Sequence, residues 1–199
     1  MSEAVAEVKE APEEKIEYRC QVKNGRRIWA DFLEEKMCGK CHPCMMGSYE
    51  AVRILEGLEA GGGAAADLVK LDIIVDSMLT ASRCKKGKDV AKAFKELLDA
   101  SREEFAAHLG EAARCPAQEC AALIAYEIDM ERCTMCGDCL KACTFGAISG
   151  EPKRPYGSGY MPFRVRDLRC TRCDECRIAC PEDAIRIMDV NQSSESTPE

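Results

Sequence analysis

Long hydrophobic runs are missing from this 199-residue sequence. No apolar stretch approaches the roughly 20 residues that a helix needs to cross a bilayer, which excludes a membrane span. The start, Met1-Ser-Glu-Ala-Val-Ala-Glu-Val-Lys-Glu, is acidic and has no apolar signal core. A soluble, cytoplasmic protein is the expectation. Positive charge is also short: 28 Lys and Arg against 35 Asp and Glu leave a formal net charge of −7. That balance argues against non-specific nucleic-acid binding. A phosphate-cradling loop is missing too. Gly61-Gly62-Gly63-Ala64 is Gly-rich but lacks the flanking strand and the spacing of a dinucleotide loop. It reads as a loop between helices, so the chain is expected to bind neither flavin nor NADH, and no residue is assigned a catalytic role.

Cysteine is what the sequence has in abundance, with 15 residues. A secreted disulfide scaffold is one use of so many. The missing signal and the spacing point instead to thiolates on metal. One run reads Cys133-Thr-Met-Cys136-Gly-Asp-Cys139-Leu-Lys-Ala-Cys143, and a second reads Cys170-Thr-Arg-Cys173-Asp-Glu-Cys176-Arg-Ile-Ala-Cys180-Pro181. Each has the spacing that wraps a [4Fe–4S] cluster, with three thiolates on one tight loop and a fourth that ligates the other cluster of a pair. Cys133, Cys136, Cys139 and Cys180 are therefore assigned to one cluster, and Cys170, Cys173, Cys176 and Cys143 to the other. Zinc closes a site with four ligands, usually two separated pairs, and fits a doubled run of four poorly.

The flanks repeat as well. Tyr126 to Cys133 and Phe163 to Cys170 share an alternation of apolar and polar residues, which is a strand signal. Gly146-Ala147-Ile148 matches Asp183-Ala184-Ile185. Over roughly its last third the chain resembles the bacterial two-[4Fe–4S] ferredoxins. It departs at Thr144, where that family usually has Pro, as at Pro181.

Upstream, residues 1–15 are rich in Glu, Ala and Lys and are expected to be disordered. Ile16 to Val22 alternates like a short strand, Asn24-Gly25 is a turn signal, and Arg27 to Lys36 reads as a short helix with Trp29 in its core face. Then comes Met37-Cys38-Gly39-Lys40-Cys41-His42-Pro43-Cys44-Met45-Met46-Gly47. Its three Cys suit one more cluster, and Cys84 is the candidate fourth ligand. His42, between two ligands, either tunes that cluster or faces solvent. Helical patterns fill Ser48 to Leu58, Asp67 to Ala81 with Asp67 as N-cap, and a long stretch from about Asp89.

Cys-Gly-Lys-Cys-x-Pro-Cys with a lone Cys farther on resembles the C-terminal iron–sulfur domain of the NADH-binding flavoprotein subunit of respiratory complex I. The same domain occurs in flavin subunits of NAD-dependent hydrogenases and formate dehydrogenases. The resemblance covers roughly residues 20 to 110. It implies a small helical bundle with one [4Fe–4S] cluster on Cys38, Cys41, Cys44 and Cys84. Gly39, Lys40, Pro43 and Gly47 also match, while Met37 and Met45 depart from the usual Ser and Arg. The hydrogenase branch carries a ferredoxin-like extension, as here. Its flavin and NADH domain lies upstream of the motif, where this chain has 37 residues before Cys38.

Three cysteines remain, Cys20, Cys115 and Cys120. With His108 they make a Cys3His set, a structural zinc combination. Three buried free thiols, or a small extra cluster, are the alternatives. Glu151 to Gly159 is a Pro- and Gly-rich loop, and Arg154, Arg164, Arg166, Arg169, Arg172 and Arg177 make its side basic. That is either a solvated face or a dock for an acidic electron carrier.

The expected fold class is α+β. A helical iron–sulfur domain spans 16–110, a linker with candidate zinc ligands 111–124, a two-cluster ferredoxin domain 125–190 and a disordered tail 191–199. The expected role is an iron–sulfur electron-transfer subunit of a larger oxidoreductase, with no chemistry on a substrate of its own. The resemblance implies a flavin- and NAD(P)H-binding partner on one side. On the other it implies ferredoxin or a hydrogenase- or formate-dehydrogenase-type subunit. Oxygen-sensitive clusters point to anaerobic metabolism. A free soluble ferredoxin-type carrier and a structural or assembly iron–sulfur protein are the competing roles.

Overall fold

The computed structural model describes residues 17–153 and 161–193. The expected disordered N-terminus and the part of the Pro- and Gly-rich loop from Arg154 to Gly159 lie outside the described residues. Four helices come first: α1 (Gln21–Asp31), α2 (His42–Glu59), α3 (Ala65–Ala81) and α4 (Lys85–Ala100). A π-helical turn at Phe32–Lys36 extends α1. α1 packs on α2 and α4, and α3 packs on the same two, so the four close around one core. The short α5 (Arg102–Ala107) leans on α1, α3 and α4.

That core holds Trp29, Leu55, Leu58, Leu71, Met78, Phe94, Leu98 and Phe105, all fully buried. The Trp29 and Phe94 rings are 5.2 Å apart, and Phe94 meets Phe105 edge-on at 6.2 Å. Such pairs add about 0.5–1.5 kcal/mol beyond the area they bury. Asp67 does not N-cap α3 as expected. It sits in the first turn, and its carboxylate accepts the Ala64 N–H at 2.8 Å, which satisfies one of the helix's unpaired donors.

Two local expectations fail here. The strand expected over Ile16 to Val22 is absent from its described part, because Gln21 and Val22 begin α1 and Val22 is drawn into the core. Asn24-Gly25 is not a turn but lies inside α1. A Cβ on Gly25 would come within 2.8 Å of the Phe94 ring, so glycine serves close helix packing rather than chain reversal. Asn24 is buried, and its side chain pairs both ways with the Tyr18 backbone.

The second unit is built from β1 (Ile124–Ile128), α6 (Asp138–Ala142), β2 (Ile148–Ser149), β3 (Arg164–Val165), α7 (Glu175–Ile178) and β4 (Ile185–Asp189). β1 pairs antiparallel with β4, with Tyr126 opposite Ile187 and Ile128 opposite Ile185. β2 pairs with β3, Ile148 opposite Val165. Outer strands therefore pair with each other and inner strands form a hairpin. Two helix turns are left facing one small core of Tyr126, Ile128, Met135, Cys139, Ile148, Phe163 and Ile185. The strand expected from Phe163 to Cys170 is only Arg164–Val165, followed by a 3-10 turn at Asp167–Arg169. The fold class is α+β, a helical bundle followed by a ferredoxin-like unit.

Residues 111–124 are not a free linker. Ala113, Cys115, Cys120 and Leu123 are buried in the same core cluster as the bundle helices. The segment after β4 comes back to this stretch. There α8 (Val190–Ser193) follows the strand, the Val190 N–H reaches the Leu123 carbonyl, and the Asn191 amide donates to the Ala113 carbonyl. Asn191 to Ser193, expected to be disordered, thus belong to a short helix, and the rest of the tail lies outside the described residues.

Candidate metal centres

In the ferredoxin-like unit, Cys133, Cys136, Cys139 and Cys180 line one cavity. Cys143, Cys170, Cys173 and Cys176 line another. The two are alike in make-up, each lined by four cysteines, isoleucine and an aromatic ring. Their backbones repeat too. Met135 and Arg172 both have φ near +57° to +58°, Gly137 and Asp174 are left-handed at +84° and +68°, and Gly146 and Asp183 at +61° and +46°. A run of thiolates two residues apart can face one centre only if the loop curls, and these left-handed residues supply the curl. The fourth thiolates match as well: Cys143 accepts the Ala147 N–H and Cys180 the Ala184 N–H, each at 3.3 Å. An N–H aimed at sulfur stabilises a thiolate and tunes whatever it ligates.

Burial, and then the neighbouring thiolates, push Cys139 and Cys176 each up to about 11. For Cys139 those neighbours are Cys133, Cys136 and Cys180; for Cys176 they include Cys170, Cys143, Cys173 and Cys139. A thiol raised this way holds its proton unless a cation replaces it. Both cavities are thus chemically fitted to a metal cluster, and Cys139, which lines the first, is close enough to Cys176 of the second to raise it. The second loop has a polar brace that reaches back to β1. The Tyr126 hydroxyl donates to Asp174 at 2.9 Å, and Asp174 is paired with Arg177. Arg172 holds the same loop by donating to the Ile124, Asp167 and Cys170 carbonyls. None of these braces has a signature in residue spacing.

In the bundle, Cys41 and Cys84 are the N-cap residues of α2 and α4. Neither side chain makes a capping hydrogen bond, so both sulfurs are left available to a ligand. Cys44 is buried one turn into α2 and is raised by that burial and by Cys41, Cys84 and Cys38. Cys41, Cys84 and Cys38 are thus near enough to Cys44 to raise it, and Cys38 and Cys84 are exposed. Gly87, in the first turn of α4, is part of the fit: a Cβ there would sit 3.3 Å from Cys44 Sγ and 3.1 Å from Ser82 Oγ. His42 is exposed.

Cys20, His108, Cys115 and Cys120 are all buried, with their ligand atoms within 4.8 Å of one another. Cys20 Sγ is 3.7 Å from Cys120 Sγ and 3.6 Å from His108 Nε2, and Cys120 Sγ is 3.5 Å from Nε2. A tetrahedral ion with metal–sulfur bonds of about 2.3 Å and metal–nitrogen bonds of about 2.0–2.1 Å needs separations of about 3.8 and 3.6 Å. A four-iron cube, larger than one ion, would hold its thiolates farther apart. His108 Nδ1 lies 2.8 Å from the Glu104 carbonyl, which leaves Nε2 to face the sulfurs. Glu119 anchors the set: its carboxylate accepts the Arg19 and Cys20 N–H groups, and its own N–H reaches Cys115 Sγ. Hydrogen bonds from Cys120 and Cys20 hold Cys115 well below the ordinary thiol range against the opposing effect of burial. Glu104 and Glu119 are supports that pattern reading misses, since a carbonyl and an N–H carry no residue-type signal.

Among the described residues no helix is long and apolar enough to cross a membrane. Residues 26–108 match the model of the NADH-ubiquinone oxidoreductase-F iron-sulfur binding region, and residues 132–185 match a 4Fe-4S dicluster domain. The chain is 34% identical to the HndC subunit of the NADP-reducing hydrogenase of Solidesulfovibrio fructosivorans, over 65% of this chain and 26% of that one. It is 38% identical to the F subunit of NADH-quinone oxidoreductase from Mycobacterium tuberculosis, over 50% and 22%. Against an F subunit of the same enzyme from Rhizobium meliloti it is 36% identical, over 49% and 23%. The chain thus spans about a quarter of the length of these curated relatives. The twelve cysteines that the sequence assigns to clusters fall inside the two matched regions, whereas Cys20, Cys115 and Cys120 fall outside both.

Proposed function

We propose that this chain, an iron–sulfur binding region of the NADH-ubiquinone oxidoreductase-F type fused to a dicluster ferredoxin domain, is an electron-relay subunit of a larger oxidoreductase. Its partner on one side would bind flavin and NAD(P)H; the relatives are named for NADP-reducing hydrogenase and NADH-quinone oxidoreductase. On the other side it would meet ferredoxin, or a hydrogenase- or formate-dehydrogenase-type subunit. A place in the cytoplasm goes with this reading.

The observation that carries it is the pair of twin four-cysteine cavities, together with a further cysteine quartet at two helix N-termini. Cys38, Cys41, Cys44 and Cys84 would hold one [4Fe–4S] cluster. Cys133, Cys136, Cys139 and Cys180 would hold a second, and Cys143, Cys170, Cys173 and Cys176 a third. Such clusters supply one-electron transfer. The chain's own residues hold the thiolates, aim N–H groups at sulfur and wall the cavities with Ile128, Ile148, Phe163 and Ile185. Exposed Arg164, Arg166 and Arg169, which form no ion pair with a described residue, lead into Cys170 and suit an acidic carrier.

Anaerobically purified protein should contain about twelve iron atoms, from three four-iron clusters. A count of about eight would remove the bundle's cluster from the reading. Cys20, His108, Cys115 and Cys120 would hold one Zn²⁺, which has no redox chemistry and would fix the joint between the units. Cys115→Ser should lose zinc and keep its iron. Wild-type protein with full iron and no zinc would leave three buried free thiols.

A further inference from the structure

Among the described residues, two buried side-chain polar atoms lack a hydrogen-bond partner, Trp29 Nε1 and Ser82 Oγ. Trp29 lies deep in the aromatic core. Ser82 does not. It ends α3, is 3% exposed, and stands two residues before Cys84. A buried hydroxyl left unpaired is costly, and native proteins rarely keep one without a use. Serine and threonine side chains at helix ends usually bond to a nearby backbone group. Ser82 does not, although its own N–H bonds to the Met78 carbonyl.

The surroundings say where the hydroxyl can be used. Ser82 Oγ and Cys44 Sγ flank one point, the place where a Gly87 side chain would begin, at 3.1 and 3.3 Å. A Cβ would be crowded there, so glycine lets Ser82 and Cys44 come close to each other against α4. Cys44 does not itself accept from Ser82, since Ser82 Oγ has no protein partner. Ser48, the other buried hydroxyl near Cys44, is already spent on the Cys44 carbonyl at 2.7 Å. Ser82 is thus a buried donor without a protein partner, packed close to Cys44 at a position that only a glycine permits.

We propose that the Ser82 hydroxyl donates a hydrogen bond to a sulfur of the cluster held by Cys38, Cys41, Cys44 and Cys84, and so raises that cluster's reduction potential above what the four thiolates alone would set. The inference rests on the proposed function, because it needs a cluster there. Reduction adds negative charge to the cluster, and a donor to sulfur stabilises that added charge. The ferredoxin-like sites use backbone N–H groups from Ala147 and Ala184 for the same purpose. At this site a side chain would do it, so one substitution can remove it without disturbing the backbone.

The test uses the full chain, purified without oxygen, in wild-type, Ser82→Ala and Ser82→Thr forms. A Cys84→Ala variant identifies which paramagnetic signal belongs to the bundle. In redox titrations followed by electron paramagnetic resonance, Ser82→Ala should lower the midpoint of that signal alone. The expected size is about a tenfold fall in the reduced-to-oxidised ratio at fixed potential, which is about 59 mV for one electron. Ser82→Thr, which keeps the hydroxyl, should restore the wild-type value. An unchanged midpoint in Ser82→Ala with full iron would overturn the proposal. Should Ser82→Ala lose iron, wild-type protein moved into D₂O decides: an exchangeable proton coupled to that cluster supports the bond, and its absence overturns it. Failure of the parent reading looks different, since wild-type iron would then be about eight atoms rather than about twelve.

Discussion

The bundle and the ferredoxin-like unit gather the same ligand, a cysteine thiolate, by opposite means. In the ferredoxin-like unit the ligands bring their own framework. Left-handed residues at repeated positions curl each loop, and the fourth thiolate crosses to the other half. Little else is present: the core there is seven residues with two short strand pairs. In the bundle, Cys41, Cys44 and Cys84 sit at helix starts that a large aromatic and aliphatic core already holds in place. The contrast is between a site that makes its fold and a fold that carries its site.

Removing iron should separate the two most sharply. With chelator and acid pretreatment, the ferredoxin-like unit should lose its structure, because metal binding there is folding free energy. Amides of β1 and β4 should then exchange at nearly unprotected rates. Amides of α2 and α3 should stay protected by the core, as read by hydrogen-exchange mass spectrometry. Equal loss in both units would break the comparison.

Phe94→Ala attacks it from the other side. Phe94 touches both Trp29 and Phe105 and is fully buried. Truncation of a buried Phe costs about 3–5 kcal/mol, most of a small unit's stability. Denaturation of the bundle should shift strongly while the iron of the eight ferredoxin-type cysteines remains. Loss of that iron would mean the two units fold as one.

The same contrast explains what the sequence discloses. Cluster ligands follow from spacing because a loop wrapped on a metal has few workable intervals, so the eight cysteines from Cys133 to Cys180 could be sorted into two groups, and the structure brings those same groups around two cavities. The bundle depends on packing, and there local signals mislead. Asn24-Gly25 has the chemistry of a turn, yet the Phe94 ring needs a glycine inside a helix. Val22 alternates like a strand residue but is captured by the core. Cys20 could be linked to Cys115 and Cys120 only as a remainder. What joins them is the fold around Glu119 and the Glu104 carbonyl, contacts made far apart in sequence. Ser82 is legible only in three dimensions, because its meaning lies in having no partner.

The smallest test lies within the ferredoxin-like unit, where Tyr126 and Phe163 are one of the differences between the two halves. These residues occupy matching positions, seven before the first cysteine of each run. Phe163 is fully buried in the shared core. Tyr126 is buried in the same cluster but adds a hydroxyl that donates to Asp174 at 2.9 Å. Asp174 is held below the usual carboxylate range first by its bond to Arg177, then by this one, with burial opposing both. Asp174 is also one of the left-handed residues that curl the second loop. Tyr126→Phe removes the bond, keeps the ring and makes the halves more alike. The net loss should be about 0.5–1.5 kcal/mol, the ordinary worth of one hydrogen bond, because Arg177 still pairs with Asp174. On exposure to air, iron held by Cys170, Cys173, Cys176 and Cys143 should be lost faster than in wild type. Iron held by Cys133, Cys136, Cys139 and Cys180 should be lost at the wild-type rate. Equal acceleration at both would mean that the brace supports the shared core rather than one loop.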